Sequence, residues 1–300
     1  MSKKSDIPKI QPFQFDHYMF SSPKRHNNSL FERFHIEPIE EYKKSINLPL
    51  LPHRRSIYFF LFVTQGVAVR SKSLNQYEIE ANHFFCLPAY QITSIKSFSA
   101  DLKGFYCHFK ADIFHQSQLN INIEKDFPIF DIMAEPLVKI SNPERFMQVL
   151  SILSEEYKRN RVDRINIIAH YMTSLFNEVN FEYTKSTGKF SNAASLITQQ
   201  YKSLLSQNIS QIKKVADCAQ MLEITPNHLN KSVKEVTGKT ANEILADMRL
   251  LEAKVLLRQS NLRVSEIAFK VGGFDPSDFS RFFKTKTGMS PKAYRNSEKL

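Results

Sequence analysis

The stretch Asn261–Arg295, NLRVSEIAFKVGGFDPSDFSRFFKTKTGMSPKAYR, constrains this chain more than any other. An apolar helical pattern of Val264, Ile267, Ala268 and Val271 runs into Gly272-Gly273, and a second helix opens at Asp275-Pro276. Asp275 suits the N-cap, where its carboxylate accepts a backbone N–H that the helix start leaves unpaired. Pro276 suits the first helical position, which needs no N–H. Gly288 supplies the stop. Two short helices around a glycine turn predict a helix-turn-helix unit. On the second helix Phe279, Phe282 and Phe283 recur at helical spacing, so this side faces a core, while Ser277, Asp278, Ser280, Arg281 and Lys284 face outward. Such a face suits a DNA major groove: Arg281 can fork onto guanine, and Lys284 and Lys286 can neutralise phosphates. For an isolated stretch a solvated charged face is the commoner meaning of the same pattern.

A second unit of this kind lies upstream. Ile209–Leu222 turns Ile212, Val215, Ala216, Ala219 and Met221-Leu222 toward a core, and Thr225-Pro226 opens a helix that Gly238 ends. Leu229, Val233 and Val236 are expected inside, and Asn227, Asn230, Lys231 and Lys234 outside. Between the units, Thr240-Ala241-Asn242-Glu243 forms a capping box. The helix from 241 to 259 buries Ile244, Leu245, Met248, Leu251, Val255 and Leu256 and leaves Arg249 and Arg258 as exposed charges. At 1.5 Å per residue it is about 28 Å long, a spacer able to hold two recognition helices about one duplex turn apart.

Glu266-Ile267-Ala268, Gly272, Phe279-Ser280-Arg281, Phe283-Lys284, Gly288, Ser290-Pro291 and Tyr294-Arg295 together resemble the C-terminal pattern of AraC/XylS-type transcription regulators. The resemblance implies a sequence-specific DNA-binding regulator, with a DNA-binding domain over 191–300 and its two helix-turn-helix motifs at 209–238 and 264–287. By position it implies base contacts from Asn227, Asn230 and Lys231 in the first motif and from Ser277, Asp278 and Arg281 in the second. Lys234, Ser280, Lys284 and Lys286 are then the phosphate contacts. Asp278 has two readings: its carboxylate accepts from cytosine N4, or it favours the helix start through the macrodipole. One position departs from the pattern. The family has Phe directly after the first glycine of the turn, whereas here Gly273 intervenes and Phe274 comes one residue late. The register from Gly272 to Phe279 is kept, and looser packing beneath the turn is expected, with Asn230 and Lys231 carrying more of the binding.

Composition agrees with this division. Three hundred residues, 42% hydrophobic with 25 Phe, suffice for two domains with real cores. The net charge of +11 is uneven: residues 191–300 hold 17 Lys and Arg against 10 Asp and Glu, a net +7, as a polyanion-binding module would. Cys86, Cys107 and Cys218 are odd in number and lack metal-ligand spacing, which fits buried thiols in a reducing compartment. No apolar run reaches the roughly eighteen residues of a membrane span and no signal-peptide pattern opens the chain, so a cytoplasmic protein without a membrane partner is expected.

Residues 1–185 are expected to form a sensory and dimerisation domain, giving an α+β protein. Six prolines break residues 1 to about 50, which are read as an arm and an edge strand. From Ser56 to about Lys110, short runs rich in β-branched and aromatic residues predict a small barrel or sandwich. With Phe84-Phe85-Cys86-Leu87-Pro88 this region resembles the cupin-like barrel that AraC/XylS proteins often carry, which implies a small-molecule effector. Tyr58, Phe60, Phe62, Phe85, Tyr106 and His108 are its candidate pocket, or simply the filling of the barrel. His53, His83 and His108 form no His-x-His pair, so no metal or other cofactor is expected. Two helices follow, one opened by Asn142-Pro143 and one from about Asp163. The stripe Ile165, Ile168, Ala169, Met172, Leu175, Phe176 and Val179 suits either an intramolecular core or pairing of two copies through residues 143–183. Tyr183–Asn192 reads as the linker. The alternative function is a small-molecule-binding or cupin-type enzyme that docks to DNA through its basic domain. Against any enzyme stands the absence of a nucleophile and base at recognisable spacing and of a phosphate-binding glycine loop. If the regulator is an activator, RNA polymerase is a further partner.

Overall fold

The computed structural model describes residues 9–19, 28–73, 75–117, 119–132, 134–187, 193–209 and 211–297. It divides into two compact units, Lys9–Lys189 and Phe190–Leu300. The first unit opens with β1 (Lys9–Ile10) and α1 (Phe15–Tyr18), then β2 (Phe34–Pro38) and α2 (Ile39–Ser45). A run of strands follows: β3 (Leu50–Arg55), β4 (Tyr58–Gln65), β5 (Ala68–Lys72), β6 (Asn75–Ile79), β7 (His83–Leu87), β8 (Ile92–Phe98) and β9 (Lys103–Phe109). The unit ends with α3 (Asp112–Gln116), α4 (Ile123–Asp126), β10 (Leu137–Lys139), α5 (Pro143–Lys158) and α6 (Ile165–Thr187).

The expected barrel takes the form of two five-stranded sheets, ordered β1-β3-β8-β5-β6 and β10-β7-β4-β9-β2. They face each other across a core containing Phe59, Leu61, Val63, Ala68, Ile79, Phe85, Leu87, Ile95 and Tyr106. On the other side of the second sheet, Phe60, Phe62, Phe84, Cys86, Cys107 and Phe109 pack under the helices. Strand β4 is therefore buried on both faces, which is why its sequence is a continuous apolar run without alternation. The proline-rich beginning is more ordered than an arm, since β2 pairs antiparallel with β9 and β1 parallel with β3. Strand β10, not expected from sequence, adds to β7.

Asn142 caps α5 by accepting from the Arg145 N–H. The α6 stripe from Ile165 to Val179 is wholly buried within this one chain, so the intramolecular alternative accounts for it. Helix α6 runs on to Thr187, so Tyr183–Thr187, expected to be linker, is helical, and Tyr183 is buried. Tyr183 joins the core on the helical side, and this burial carries the helix past the expected boundary. Residues 188–192 lie outside the described residues. No helix among the described residues is long and apolar enough to cross a membrane.

Among its described residues the second unit is built from helices alone: α7 (Ala193–Asn208), α8 (Val215–Met221), α9 (Pro226–Thr237), α10 (Ala241–Gln259), α11 (Val264–Lys270), α12 (Pro276–Thr287) and α13 (Pro291–Asn296). Helix α8 begins six residues later than the Ile209 expected, because the Asp217 carboxylate accepts from the Lys213 and Lys214 N–H groups and fixes the start there. The inward face of α9 is rotated from the one read in sequence. Ser232 is buried beside Leu229 and Val233, while Val236 is 37% exposed, and Met221 on α8 is 55% exposed. Helix α7 explains the rotation: its buried Ala194, Thr198, Tyr201 and Leu205 pack here, and Thr198 Oγ1 donates to the Ser232 carbonyl. On α10, Leu251 is only partly buried, and Ala253 and Leu257 join the core instead.

Candidate nucleic-acid interface

Both recognition helices are built by local rules. Thr225 Oγ1 accepts from the His228 N–H to open α9, and Asp275 Oδ1 accepts from the Ser277 N–H to open α12. Each cap contributes about 1 kcal/mol. Pro226 and Pro276 take the first helical positions, and Gly238 and Gly288 end the helices in left-handed conformations, φ +71° and +77°. Past each glycine a new cap starts the next helix. Thr240 and Glu243 form a capping box for α10, and Ser290 accepts from the Ala293 N–H for α13. Phe279 and Phe283 are fully buried, each contributing about 1.5–3 kcal/mol of apolar burial that fixes which face of α12 remains outside.

The outward residues of α12 are Ser277, Asp278, Arg281, Lys284 and Lys286, all exposed. Arg281 is 80% exposed and stands 3.8 Å from Asp278, a weak solvent-screened pair that leaves the guanidinium able to reach a base. Ser280 is half-buried and its hydroxyl donates to the Pro276 carbonyl, so it is spent inside its own helix. On α9, Asn227, Lys231 and Lys234 are exposed. Asn230, expected at a base, is half-buried instead: its Oδ1 accepts from the Ala241 N–H at 3.0 Å, satisfying the first turn of α10. Tyr201 supports the same junction by donating to the Ala241 carbonyl.

Arg249, expected to be an exposed charge, instead ties the two helix-turn-helix motifs together. From the middle of α10 its Nη2 donates to the carbonyls of Ile212 and Lys213 at the entrance of the first motif, at 2.8 and 3.0 Å. Its guanidinium carbon lies 5.1 Å from the centroid of Phe274 in the turn of the second. Burial lowers its pKa from the ordinary arginine value. Arg258 likewise turns inward, over the Tyr294 ring at 4.5 Å. Arg295 donates to the carbonyls of Leu257 and Leu262 and so closes the end of α10.

This arrangement corrects the expectation of a loose second turn. In the first turn the Ile224 N–H reaches the Ala219 carbonyl and Glu223, at φ +56°, bonds Gln220, a Schellman closure. In the second the Phe274 N–H reaches Ala268 and the Gly273 N–H reaches Phe269, a closure one residue wider. Gly273 takes the left-handed position, and Gly272 is the added residue, at φ +138°. A Cβ there would stand 2.5 Å from Arg249 Nε, so any other residue would displace the guanidinium besides adopting a φ that side chains rarely take. Phe274, arriving late, stacks on Phe282 at 5.3 Å and covers Arg249.

In the first unit, the six candidate pocket residues split between two cores. Phe85, Tyr106 and His108 face the interior between the sheets, whereas Phe60 and Phe62 point the other way, under α5 and α6. Tyr58 also packs on the helical side and donates to Glu124. Because β4 is buried on both faces, its composition carries no sign of which parity faces inward. The three thiols are buried, which pushes their pKa values up and leaves them protonated. Among the described residues, no group of three or more His, Cys, Asp and Glu gathers as a metal site would.

A family model described as a helix-turn-helix domain matches residues 218–297. The chain is 23% identical over 251 residues to the uncharacterised HTH-type transcriptional regulator YfiF of Bacillus subtilis, covering 82% of this chain and 79% of that protein. It is 33% identical over 93 residues to the HTH-type transcriptional activator RhaR of Yersinia pseudotuberculosis, covering 31% of this chain and only 32% of the relative. Among solved structures, the C-terminal domain of AraT, a response regulator from Geobacillus stearothermophilus, matches 36% of this chain and 91% of its own length at 27% identity, with a TM-score of 0.34. ToxT from Vibrio cholerae matches 88% of this chain and 98% of its own length at 16% identity, with a TM-score of 0.39. The family match runs from within α8 to the end of α13, and the relatives named are HTH-type transcription regulators, so residues 218–297 are similar to the helix-turn-helix domain of AraC/XylS-type regulators.

Proposed function

We propose that this regulator reads DNA with both helices at once, α9 and α12 entering successive major grooves on one face of the duplex. The observation that carries this reading is the single rigid helix α10, whose Arg249 engages the entrance of one motif and the turn of the other. Arg281, Asn227, Lys231, Ser277 and Asp278 are the proposed base readers, and Lys234, Lys284 and Lys286 the phosphate contacts. Asn230 and Ser280 drop out of these roles, since their oxygens already serve the fold.

The first unit is proposed to bind a small-molecule effector and to bias DNA binding, with no reaction catalysed. The activator named among the relatives makes RNA polymerase the further partner we assign. A cytoplasmic location follows from that role. Pairing of two copies through residues 143–183 would have to use the outer surface of α5 and α6, where Phe181 is 58% exposed, because the apolar stripe is consumed internally. Sedimentation of the full chain reads that stoichiometry.

Selection of bound genomic fragments tests the central claim. Two conserved blocks about one helical turn, 10–10.5 base pairs, apart are expected. A single block, or no enrichment over random DNA, refutes the two-headed reading.

A further inference from the structure

Two guanidinium groups are sealed between the sheets of the first unit. Arg55, at the end of β3, is 1% exposed, and Arg70, on β5, is 0% exposed. Their guanidinium carbons lie 4.7 and 4.4 Å from the centroid of the same Phe59 ring. Arg55 is held in place: Nε donates to His53 Nε2 at 3.1 Å, Nη1 to the Tyr106 hydroxyl at 2.9 Å, and Nη2 to the Tyr42 hydroxyl at 3.5 Å. Arg70 is different. None of its three nitrogens has a hydrogen-bond partner among the described residues.

Moving a cation out of water without pairing it is strongly unfavourable, and a second cation nearby adds to the cost. Burial first and Arg55 second lower the Arg70 pKa to about 9, and the groups acting on it are Arg55, Tyr42 and Tyr106, with no carboxylate among them. Buried charges in folded proteins are paired or fully hydrogen-bonded. A planar fork of five N–H donors with no acceptor is the complement of an incoming carboxylate, which accepts two parallel bonds.

We propose that the interior between the two sheets is a binding site for a small organic carboxylate, gripped by Arg70 and by the positioned Arg55, with its apolar body against the surrounding aromatic rings. Phe15, Phe59 and Tyr106 lie around the guanidiniums, and Leu61, Ile79 and Ile95 share this core, so the walls favour a hydrocarbon body over a fully polar anion. The proposal deepens the effector reading above and rests on it only for the link to DNA binding.

The full chain is titrated with acetate, benzoate and hexanoate, each against the alcohol of the same body, and with inorganic phosphate, by calorimetry and thermal unfolding. Benzoate or hexanoate is expected to bind at least about tenfold more tightly than its alcohol, because only the acid meets the fork. Arg70→Met is expected to abolish that binding while raising the Tm of the unliganded protein, since an apolar chain replaces an unpaired buried cation. Arg70→Lys, keeping the charge without the fork, is expected to fold and to bind at least about tenfold more weakly. Absence of binding by all three carboxylates, equal binding of acid and alcohol, tighter binding of phosphate, or a response that survives Arg70→Met overturns the site. DNA affinity is read separately. A carboxylate that binds without changing it keeps the site and removes the effector reading. A neutral molecule that changes it, in a protein that binds none of the carboxylates, does the reverse.

Discussion

The two helix-turn-helix units share their caps and differ in what lies beneath them. Thr225 and Asp275, Pro226 and Pro276, Leu229 and Phe279, Val233 and Phe283, Thr237 and Thr287, and Gly238 and Gly288 are each fifty residues apart. Even the threonine near each C-terminus repeats its bonds, Thr237 Oγ1 to the Val233 and Lys239 carbonyls and Thr287 Oγ1 to those of Phe283 and Met289. Below the helices the likeness ends. The first unit is anchored by polar ties, Asn230 and Tyr201 at Ala241, and by the packing of α7. The second rests on rings: Phe274 on Phe282, Phe279 beside Phe283, and Phe283 against Tyr294 at 5.3 Å. Local chemistry sets where each recognition helix begins and ends, and long-range ties set where it points.

The largest effect expected from breaking this comparison is at Gly272. Gly272→Ala adds a methyl group against the Arg249 guanidinium at a φ that alanine tolerates poorly, so thermal unfolding should register a loss of about 3 kcal/mol. Unchanged stability would mean that Arg249 moves freely and that the units are not tied through it. Arg281→Ala comes next, with about 1–3 kcal/mol lost at particular bases and little on random DNA. Equal losses on both, in parallel binding assays, would remove Arg281 as a base reader. Asn230→Ala should cost about 1 kcal/mol of stability by orphaning the Ala241 N–H, with base preference kept. A relaxed preference in fragment selection would return Asn230 to the bases. The smallest effect belongs to Lys234→Ala: binding weakens alike on all sequences, and the salt slope falls by about one.

How much of this was legible in the sequence follows the same divide. Thr225-Pro226, Asp275-Pro276, Gly238 and Gly288 announce their roles because a cap needs only its neighbours within four residues. Arg249 does not, because its partners Ile212 and Gly272 are remote in sequence and an arginine on an amphipathic helix reads as solvated. The bond from the Ala241 N–H to Asn230 is hidden for the same reason. The strand rhythm of the first unit was readable, but the inward parity of β4 was not, since Phe59 to Val63 is apolar at every position. Helix α7 carried a usable signal in Ala194, Thr198, Tyr201 and Leu205, spaced four, three and four apart.

The fifty-residue congruence also makes the recognition helices interchangeable cassettes. Segments 225–240 and 275–290 are of equal length, begin at a cap and finish at the cap of the following helix. Exchanging or duplicating them would leave α10 and α13 starting where they do now, while a cut placed upstream, within the unequal turns, would shift the register by one residue. The architecture thus holds a natural seam, along which one half of the operator could change without the other.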